Sequence, residues 1–397
     1  MKIQEIAIRD FKALKDVSFQ PGRVNVFVGA NGSGKSTLLE AIGVLSAAMT
    51  DRVDGNSLTR KGVRLSAPSL YKSAFSGGQR SQTISFDVRW NSSPNSDSLK
   101  YTVHLNTPSD DNAWRYHSEA LMQGEKKIWG RSGRSKESYD NFVGMLLTDQ
   151  SETLSPVRSA IEPFRNYAIY QPFTAALRGT LADPQQSIPV GLSGGRLAEA
   201  IEELIREEDG DLLLGAGSDV YLDDVLELID WADSINVASP TKERVNSAIP
   251  VSRRVLEFKD RYMQDQRRFT AYDASEGALY VLFMYCLALH PKAPLIFAVD
   301  NFDQAMHPRL AKEVMKSISK IIIQQGKTVF LTTHNPLVLD GLDLNNEDVR
   351  LFTLNRMQKS GFVSIERITV RDELVKERLP LSQLWTTGRI GGVPDLI

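Results

Sequence analysis

The sequence GANGSGKST, residues 29–37, stands between the apolar run RVNVFVG (23–29) and the segment LLEAIGVLSAAM, whose apolar residues have helical spacing. It matches G-x-x-x-x-G-K-[ST] in the strand–loop–helix context that this motif requires. Glycines let backbone N–H groups converge on phosphate oxygens, and the helix N-terminus adds the positive end of its dipole. We therefore predict a nucleotide-binding loop made of Gly29, Ala30, Asn31, Gly32, Ser33, Gly34, Lys35, Ser36 and Thr37.

This loop predicts ATP and Mg²⁺ as cofactors. Lys35 would contact the β- and γ-phosphates, and the Ser36 hydroxyl would bind the Mg²⁺ ion. A second metal ligand is expected at the end of a buried strand, and the run PLIFAVD (294–300) supplies Asp300. The other interpretation of Asp300 is a cap on the next helix.

The residues that follow two buried strands are candidates for catalysis. Asn301 and Asp303 come directly after Asp300, and His334 follows the strand-like run TVFLTT. His334 could reach the γ-phosphate or simply turn the chain before Pro336. Asp303 could accept a proton or cap the helix expected at 309–324.

Composition predicts a globular protein of the cytoplasm. The chain has 397 residues, net charge −2 and 42% hydrophobic residues, which gives no global sign of attraction to nucleic acid or membranes. Cys286 is the single cysteine of the chain, so an intramolecular disulfide is excluded, and it lies in an apolar run. The longest apolar run, residues 278–289, is too short to span a bilayer, and the N-terminus has no signal-peptide core.

The pattern of the chain predicts an α/β fold assembled from both ends. Residues 1–50 and 270–355 have strand and helix patterns typical of one ATPase core. Residues 51–150 contain alternating runs such as TISFDVRW (83–90) and LKYTVHLN (99–106), which predict an antiparallel β lobe. Residues 151–269 are predicted to be a mostly helical insertion, irregular over 152–190. The tail 356–397 is expected to dock on the body or on a partner.

Three segments could provide a second phosphate contact. In some P-loop ATPases a Ser-Gly-rich helix start of one subunit faces the γ-phosphate held by another. The candidates are FSGGQR (75–80), LSGGR (192–196) and ASEGA (274–278). The first comes too soon after the P-loop, and the second lies far from Asp300. Ser275, Glu276 and Gly277 begin a buried helix that leads directly to the strand ending at Asp300, so we favour them, with 192–196 as the main rival.

Together these motifs resemble the ABC-type P-loop ATPases of the RecF/SMC branch. The resemblance rests on MKIQEIAIRDFKALKDVSF, NVFVGANGSGKSTLLEAI, SEG, VDNFDQAMHP and TTHNP in that order, and it covers roughly 1–50 and 270–345. Within the branch the chain is most similar to AAA_21-type ATPases of bacterial anti-phage defence systems, relatives of the OLD and Septu ATPases. In that group the ATPase generally works with a nuclease or another effector.

The resemblance implies a role for each matched residue. It makes Asp300 the magnesium-site carboxylate, Ser275 to Gly277 the signature, His334 the switch histidine and Gln304 to His307 the loop that crosses the dimer interface. The chain departs from the family at Asn301, where a catalytic Glu is common. Because an amide cannot take a proton near neutral pH, we expect slow hydrolysis and a long-lived ATP-bound homodimer, or a higher assembly of such dimers.

Three functions follow as hypotheses. The first is an ATPase subunit that controls a separate, nuclease-like effector in anti-phage defence. The second is a RecF-like DNA-repair ATPase, and the third is a nucleotide-dependent scaffold without meaningful turnover. Nucleic acid is a candidate partner, because KKIWGRSGRSK (126–136) is basic and carries Trp129. The cationic segment 253–268 contains acidic residues too, so a solvated surface is the better interpretation there.

Overall fold

The computed structural model describes residues 1–75, 82–91, 97–107, 114–132, 140–144, 155–185, 188–208, 224–264, 267–369 and 379–393. Its strands are β1 (Lys2–Phe11), β2 (Leu14–Phe19), β3 (Val24–Val28), β4 (Ile84–Asn91), β5 (Leu99–Asn106), β6 (Arg115–Gln123), β7 (Lys126–Ser132), β8 (Ile169–Tyr170), β9 (Ala232–Ala238), β10 (Val255–Asp260), β11 (Arg268–Thr270), β12 (Ile296–Val299), β13 (Thr328–Thr332), β14 (Val349–Arg356) and β15 (Val363–Ile368). Its helices are α1 (Lys35–Thr50), α2 (Gly55–Arg60), α3 (Ser155–Arg165), α4 (Thr174–Leu177), α5 (Leu197–Glu208), α6 (Glu276–Leu289), α7 (Pro308–Gln324) and α8 (Leu381–Thr386).

The central sheet combines strands from both ends of the chain, as predicted. Its order is β15-β14-β3-β13-β12-β8, and every neighbouring pair is parallel except β14 with β15. Strands β3, β12 and β13 consist of buried apolar or β-branched residues at nearly every position, the pattern of a parallel sheet that is covered on both faces. The long sequence separation between β3 and its neighbours therefore reflects insertions, not separate domains.

Alternate residues of β3 face two different cores. Val24, Val26 and Val28 pack in the core that contains α6 and α7. Phe27 packs in a second core with α1 and the antiparallel sheet. This alternation follows from the twofold repeat of a strand, and it fixes α1, and with it the loop that begins α1, against one face of the central sheet.

The antiparallel sheet has the order β2-β1-β4-β5-β6-β7. Burial alternates along its strands, and β5 shows the strictest pattern, which confirms the strand predicted at 99–106. Strands β1 and β2 belong to this sheet rather than to the central one. The first nineteen residues, which we assigned to the core with the P-loop, therefore contribute strands to the antiparallel sheet.

The interval 151–269 is less helical than the sequence suggested. It contains a three-stranded antiparallel sheet of order β11-β10-β9, whose inner face presents Phe258 and Phe269 to Trp231. It also contains α3, in a part that we predicted to be irregular because of its prolines. Pro163 lies inside α3, near its end, where a missing N–H disturbs few helical hydrogen bonds.

The tail packs on the body over residues 379–393. Leu384, Trp385 and Ile390 are buried in the core that contains α6 and α7. Ser382 anchors α8 by donating two hydrogen bonds, from its N–H and its hydroxyl, to the carboxylate of Asp340. The expected docking of the tail thus occurs within this chain for the described part.

Candidate nucleotide-binding site

The predicted functional residues meet at the carboxyl edge of the central sheet. The P-loop follows β3, Asp300 follows β12, and His334 lies two residues beyond β13. Ligands of open α/β sheets bind outside the carboxyl ends of the strands, where the strand order reverses, and β3 stands at that reversal here. The sheet therefore brings together side chains that lie 264 residues apart in sequence, such as Ser36 and Asp300.

The P-loop has the backbone of a phosphate cradle. Gly32 and Gly34 have φ angles of 76° and 99°, in the region that L side chains rarely adopt. A Cβ added to Gly34 would approach Val363 Cγ2 to 2.8 Å, so glycine is required there for space as well as conformation. Gly34 is also the residue before α1 and has no side chain to cap it, which leaves the first N–H groups of α1 open to an anion.

Lys35 is the cation of the cradle. It is buried, and its Nζ donates to the carbonyl oxygens of Gly29 and Ala30 at 2.7 and 3.1 Å. Burial lowers the pKa of Lys35 to about 8, although Asp300 acts in the opposite direction. A phosphate group would satisfy this desolvated ammonium, so the residue fits the nucleotide that the loop predicts.

Three side chains converge on the carboxylate of Asp300. The Ser36 hydroxyl donates to its Oδ2 at 2.7 Å, Gln171 Nε2 lies 3.3 Å from the same oxygen, and Thr332 Oγ1 donates to its Oδ1. A hydroxyl and a carboxylate oxygen in contact are hard oxygen ligands of the kind that Mg²⁺ prefers. The pair Ser36 and Asp300 therefore fits the magnesium site, and the capping interpretation of Asp300 has no support in these contacts.

Sequence reasoning missed Gln171 and Thr332. Gln171 follows the two-residue strand β8, which pairs with β12 and carries no recognisable periodicity. Thr332 is the last residue of β13 and also accepts a hydrogen bond from the Asn301 N–H at 2.8 Å. Only the pairing of β8 and β13 with β12 reveals these two residues.

Asn301 lies on the wall of the nucleotide cavity. Its φ of 53° is in the left-handed region, where Asn is among the few tolerated side chains. Its Oδ1 is buried and has no hydrogen-bond partner among the described residues. The described residues therefore leave this oxygen without a hydrogen-bond donor.

Asp303 does not line that cavity. It is 7% exposed, and the side chains of Thr333 and Asn335 donate to its carboxylate. Burial raises the pKa of Asp303 to about 6, although these hydrogen bonds act to lower it. The cap of α7 is His307, whose Nδ1 accepts from the Arg309 N–H, so the capping role considered for Asp303 is wrong.

His334 is exposed and lines the cavity together with Asn301 and the P-loop. Its pKa is lowered by partial burial and by the charge of Lys35, while Asp300 raises it. A neutral imidazole beside the P-loop can donate one hydrogen bond to a phosphate oxygen. Thr333 and Asn335, whose side chains act on the pKa of Asp303, are the residues on either side of His334.

The cavity around the P-loop has a volume of about 680 Å³, within the range of small-molecule sites. Beyond the phosphate cradle, its walls carry four cations that the sequence did not single out. These cations are Lys12, Arg64, Lys72 and Arg356. Glu40 holds two of them, Lys12 at 2.7 Å and Arg64 at 2.5 Å.

The two described signature candidates differ in their free hydrogen-bonding groups. Ser275 is exposed, precedes α6 and makes no side-chain cap hydrogen bond, so within the described part of the chain its hydroxyl does not occupy the first N–H groups of α6. In the 192–196 loop, the N–H groups of Ser193 and Gly195 already donate to the carboxylate of Asp183. The FSGGQR candidate lies almost entirely outside the described residues.

The described residues weaken two nucleic-acid signals of the sequence. Trp129 is buried on β7, so its ring is not available for stacking on a base, and 133–136 lie outside the described residues. In the segment 253–268, Arg254 pairs with Glu202 and Lys259 pairs with Asp233, as expected for a solvated surface. Cys286 is fully buried, which confirms the core position predicted for it.

The fold and the site together define an ABC-type P-loop ATPase of the RecF/SMC branch. The chain belongs to the AAA_21 family, described as "AAA domain, putative AbiEii toxin, Type IV TA system", whose model matches residues 24–340. In the part of the chain that the structure describes, no helix is long and apolar enough to cross a membrane.

Similar proteins support the same assignment. The chain is 40% identical to the DNA replication and repair protein RecF of Renibacterium salmoninarum over 55 residues, 13% of this chain and 14% of that one. It is 48% identical to RecF of Heliobacterium modesticaldum over 54 residues, 13% of this chain and 14% of that one. It therefore matches only a small part of the length of these curated relatives.

Solved SMC heads share the fold over nearly the whole chain. An SMC head bound to the C-terminal winged-helix domain of ScpA superposes with a TM-score of 0.57 at 13% identity, covering 96% of this chain and 100% of that one. An SMC head with an extended coiled coil, bound to the C-terminal domain of ScpA and derived from Pyrococcus furiosus, has a TM-score of 0.55 at 11% identity, covering 95% and 98%. At such low identity these neighbours define the fold alone.

Proposed function

We propose that this ATPase binds ATP with Mg²⁺, hydrolyses it slowly and closes into a homodimer around the nucleotide. The observation that carries the proposal is the arrangement around Asp300. Ser36 and Gln171 contact the same carboxylate oxygen, while Asn301 occupies the next position along the chain. The groups for phosphate binding and magnesium are assembled, whereas the position expected to hold the base carries an amide.

The slow rate follows from the chemistry of Asn301. Its Oδ1 can orient an attacking water molecule by accepting a hydrogen bond, but it cannot take the proton. A positioned base typically accelerates proton transfer by about 10²–10⁴-fold, so this chain should be slower by a factor in that range. Positioning and charge stabilisation supply much of the rate of phosphoryl transfer, so turnover is reduced and not abolished.

Asp303 supports the site indirectly in this proposal. Its carboxylate accepts hydrogen bonds from Thr333 and Asn335 and is absent from the wall of the cavity. It therefore fixes the position of His334 and is not the proton acceptor. In this proposal no residue takes the place of the missing base, and the rate of hydrolysis depends on the positioning of the reacting groups.

The homodimer rests on Ser275, Glu276 and Gly277. The Ser275 hydroxyl makes no cap hydrogen bond, and the N-terminus of α6 is exposed at the surface. A Cβ on Gly277 would lie 3.4 Å from the carbonyl oxygen of Ala305, so this helix start adjoins the loop that should cross the dimer interface. The phosphate of a nucleotide held by the partner's P-loop would accept hydrogen bonds from the N–H groups at the exposed start of α6.

Single-turnover hydrolysis of ATP with Mg²⁺ tests the enzymatic part. We expect slow phosphate release from wild type and a rate raised at least about tenfold in Asn301→Glu, which restores a base. Lys35→Ala should weaken ATP binding at least about tenfold, because a charge-assisted contact is lost. Phosphate release from wild type at the rate of an enzyme with the usual Glu, unchanged in Asn301→Glu, would contradict the proposal.

Light scattering with and without ATP and Mg²⁺ tests the dimer, and the two serines provide matched variants. Ser275→Ala should lower the dimer fraction at a given ATP concentration, since its hydroxyl is the proposed contact in trans. Ser193→Ala should leave that fraction unchanged, because the 192–196 loop uses its N–H groups on Asp183. The reverse result would assign the signature to residues 192–196.

The effector is the second half of the proposal. The AAA_21 family description names a toxin of a toxin–antitoxin system, which supports an ATPase that controls a harmful activity in defence against phage. We expect phage plating to fall when the protein is produced together with its effector, and Lys35→Ala to abolish the effect. Equal protection by wild type and Lys35→Ala would exclude ATP binding as the control.

Two other functions have specific support. The similarity to RecF proteins favours a DNA-repair ATPase, which predicts hydrolysis stimulated by duplex DNA with ends or gaps. Asn301 favours a nucleotide-dependent scaffold, which predicts tight ATP binding without phosphate release. The single-turnover assay with and without DNA separates all three functions.

A further inference from the structure

A second cavity of about 680 Å³ lies at the opposite edge of the central sheet from the P-loop. It lies beside Thr50, the last residue of α1. It also lies beside Tyr167, just before β8, and Pro294, just before β12. It shares no lining residue with the nucleotide cavity. This volume is enough for a ligand of nucleotide size.

The walls of the second cavity are cationic. Arg60, Lys61, Arg165 and Lys292 line it, and Asp51 is the one carboxylate among its lining residues. That carboxylate already accepts from Arg60 Nη2 at 2.9 Å. Arg165 and Lys292 also pair with carboxylates outside the lining, Glu162 at 3.2 Å and Glu203 at 2.7 Å. Among the described residues Lys61 is therefore the lining cation without an ion pair, and it favours an anion in the cavity.

Lys61 is the most informative of these cations because it is buried. It is 7% exposed, and its Nζ donates one hydrogen bond, to the Arg165 carbonyl oxygen at 2.7 Å, among the described residues. An ammonium has three donors, so two of them lack a protein acceptor there. Burial lowers the pKa of Lys61 to about 7, with Asp51 acting to raise it and Arg60 and Arg165 to lower it. An anion in the cavity would relieve this desolvation.

Aromatic and apolar residues form the other wall. Tyr167 and Tyr170 line the cavity together with Ala168 and Pro294. Tyr170 is fully buried, and its hydroxyl has no hydrogen-bond partner among the described residues. A ligand with a charged end and a less polar body matches such a pocket.

We propose that this cavity is a second ligand site, which binds a small phosphorylated molecule of nucleotide size through Lys61, Arg60 and Arg165. Guanidinium groups match phosphate oxygens in geometry, and a buried ammonium adds a point charge. The concave shape favours a small molecule over the flat contact that a polymer backbone needs. The site uses none of the residues that line the nucleotide cavity.

The site is connected to the magnesium carboxylate through β8. The Ile169 N–H donates to the Lys61 carbonyl oxygen at 2.9 Å, and the Asp300 N–H donates to the Tyr170 carbonyl oxygen at 2.9 Å. Gln171, the next residue, contacts the Asp300 carboxylate. If the proposed hydrolysis holds, a ligand that shifts Lys61 therefore alters the position of Gln171 and the rate.

Isothermal titration of AMP into the Lys35→Ala protein tests the site, because this background weakens phosphate binding at the P-loop. We expect AMP to bind and adenosine, which lacks the phosphate, not to bind. Lys61→Met keeps the length of the side chain and should weaken AMP binding at least about tenfold. Lys126→Met, at an exposed position on β7, is the matched control and should bind AMP as the parent does.

A double variant keeps the test independent of the buried lysine. Arg60→Gln with Lys292→Gln changes two exposed residues at the rim and should also weaken AMP binding. Absence of AMP binding in the Lys35→Ala protein, or binding that neither Lys61→Met nor the double variant changes, would overturn the proposal. Either result leaves the single-turnover test of the P-loop site untouched.

Ribose 5-phosphate tests the connection to hydrolysis in the wild-type protein, since it lacks the base and the polyphosphate that the P-loop site recognises. We expect it to change the rate of phosphate release, and Lys61→Met to remove the effect. A change of rate that persists in Lys61→Met would show that the ligand acts elsewhere and would overturn the connection.

Discussion

Replacement of Asp303 by Asn should stabilise the protein at alkaline pH. Asp303 is 7% exposed, and burial raises its pKa from 3.8 to about 6. The folded state therefore binds this proton more tightly than the unfolded state does. Asn has nearly the same shape and can still accept from Thr333, but it carries no charge that must be desolvated.

The size of the effect follows from the shift of the pKa. A shift of about 2 units corresponds to about 3 kcal/mol, since each unit is worth about 1.4 kcal/mol. Because the folded state holds the proton between the two pKa values, stability from this group falls as the pH rises from 3.8 through about 6. Above about pH 6 the buried carboxylate is ionised in both states, and the full cost of its desolvation lowers the free energy of unfolding. Imperfect hydrogen bonding by Asn reduces the expected gain to about 1–3 kcal/mol.

Urea unfolding of wild type and Asp303→Asn at about pH 8 and about pH 5 measures this gain. We expect the variant to be more stable at the higher pH and to lose about half of that advantage at the lower one, because a pH of about 5 lies between the two pKa values of Asp303. Equal stability at the higher pH, or a gain independent of pH, would refute the argument that the buried carboxylate is costly. In single-turnover assays the variant should keep phosphate release within about tenfold of wild type, whereas a base would lose about 10²-fold or more.

Three further substitutions or reactions test the surrounding structure. Gly194→Ala should destabilise the protein by about 2–4 kcal/mol in urea unfolding. The φ angle of Gly194 is 94°, and the new Cβ would approach Leu177 Cδ2 to 2.3 Å. An unchanged free energy of unfolding would contradict a structural role for the 192–196 loop. Trp385→Ala should cost about 3–5 kcal/mol if the tail belongs to the core, whereas Met357→Ala, at an exposed position, should cost under about 1 kcal/mol. Burial raises the pKa of the Cys286 thiol, so a thiol reagent should label it only on unfolding. Rapid labelling of the native protein would contradict that burial.

The sequence was most informative where one local pattern determined one element. The apolar run 278–289 and the helix start expected at Ser275 to Gly277 predicted a buried helix, and α6 spans Glu276–Leu289. The alternation at 99–106 predicted β5 with its bounds as well. In both segments the periodicity of apolar residues alone identifies the element, so neither prediction required knowledge of the elements that pack against it.

The sequence was least informative where a neighbour decides the structure. β8 has two residues, and it is a strand only because β12 runs beside it. β15 was missed because only its first and last residues are buried, although it pairs along its whole length with β14. The prolines in 152–190 suggested loops throughout, yet α3 tolerates Pro163 near its end.

Spelling alone does not decide which segment is the proposed phosphate-binding signature. LSGGR has the serine and glycines that a signature loop is expected to show, yet Asp183 occupies the N–H groups of Ser193 and Gly195. Ser275 belongs to the less obvious sequence SEG, and its hydroxyl makes no cap hydrogen bond. A phosphate needs donors that the protein leaves free, so the availability of N–H and hydroxyl groups outweighs the letters of the motif. The comparison of Ser275→Ala with Ser193→Ala is therefore a test of this argument as well as of the dimer.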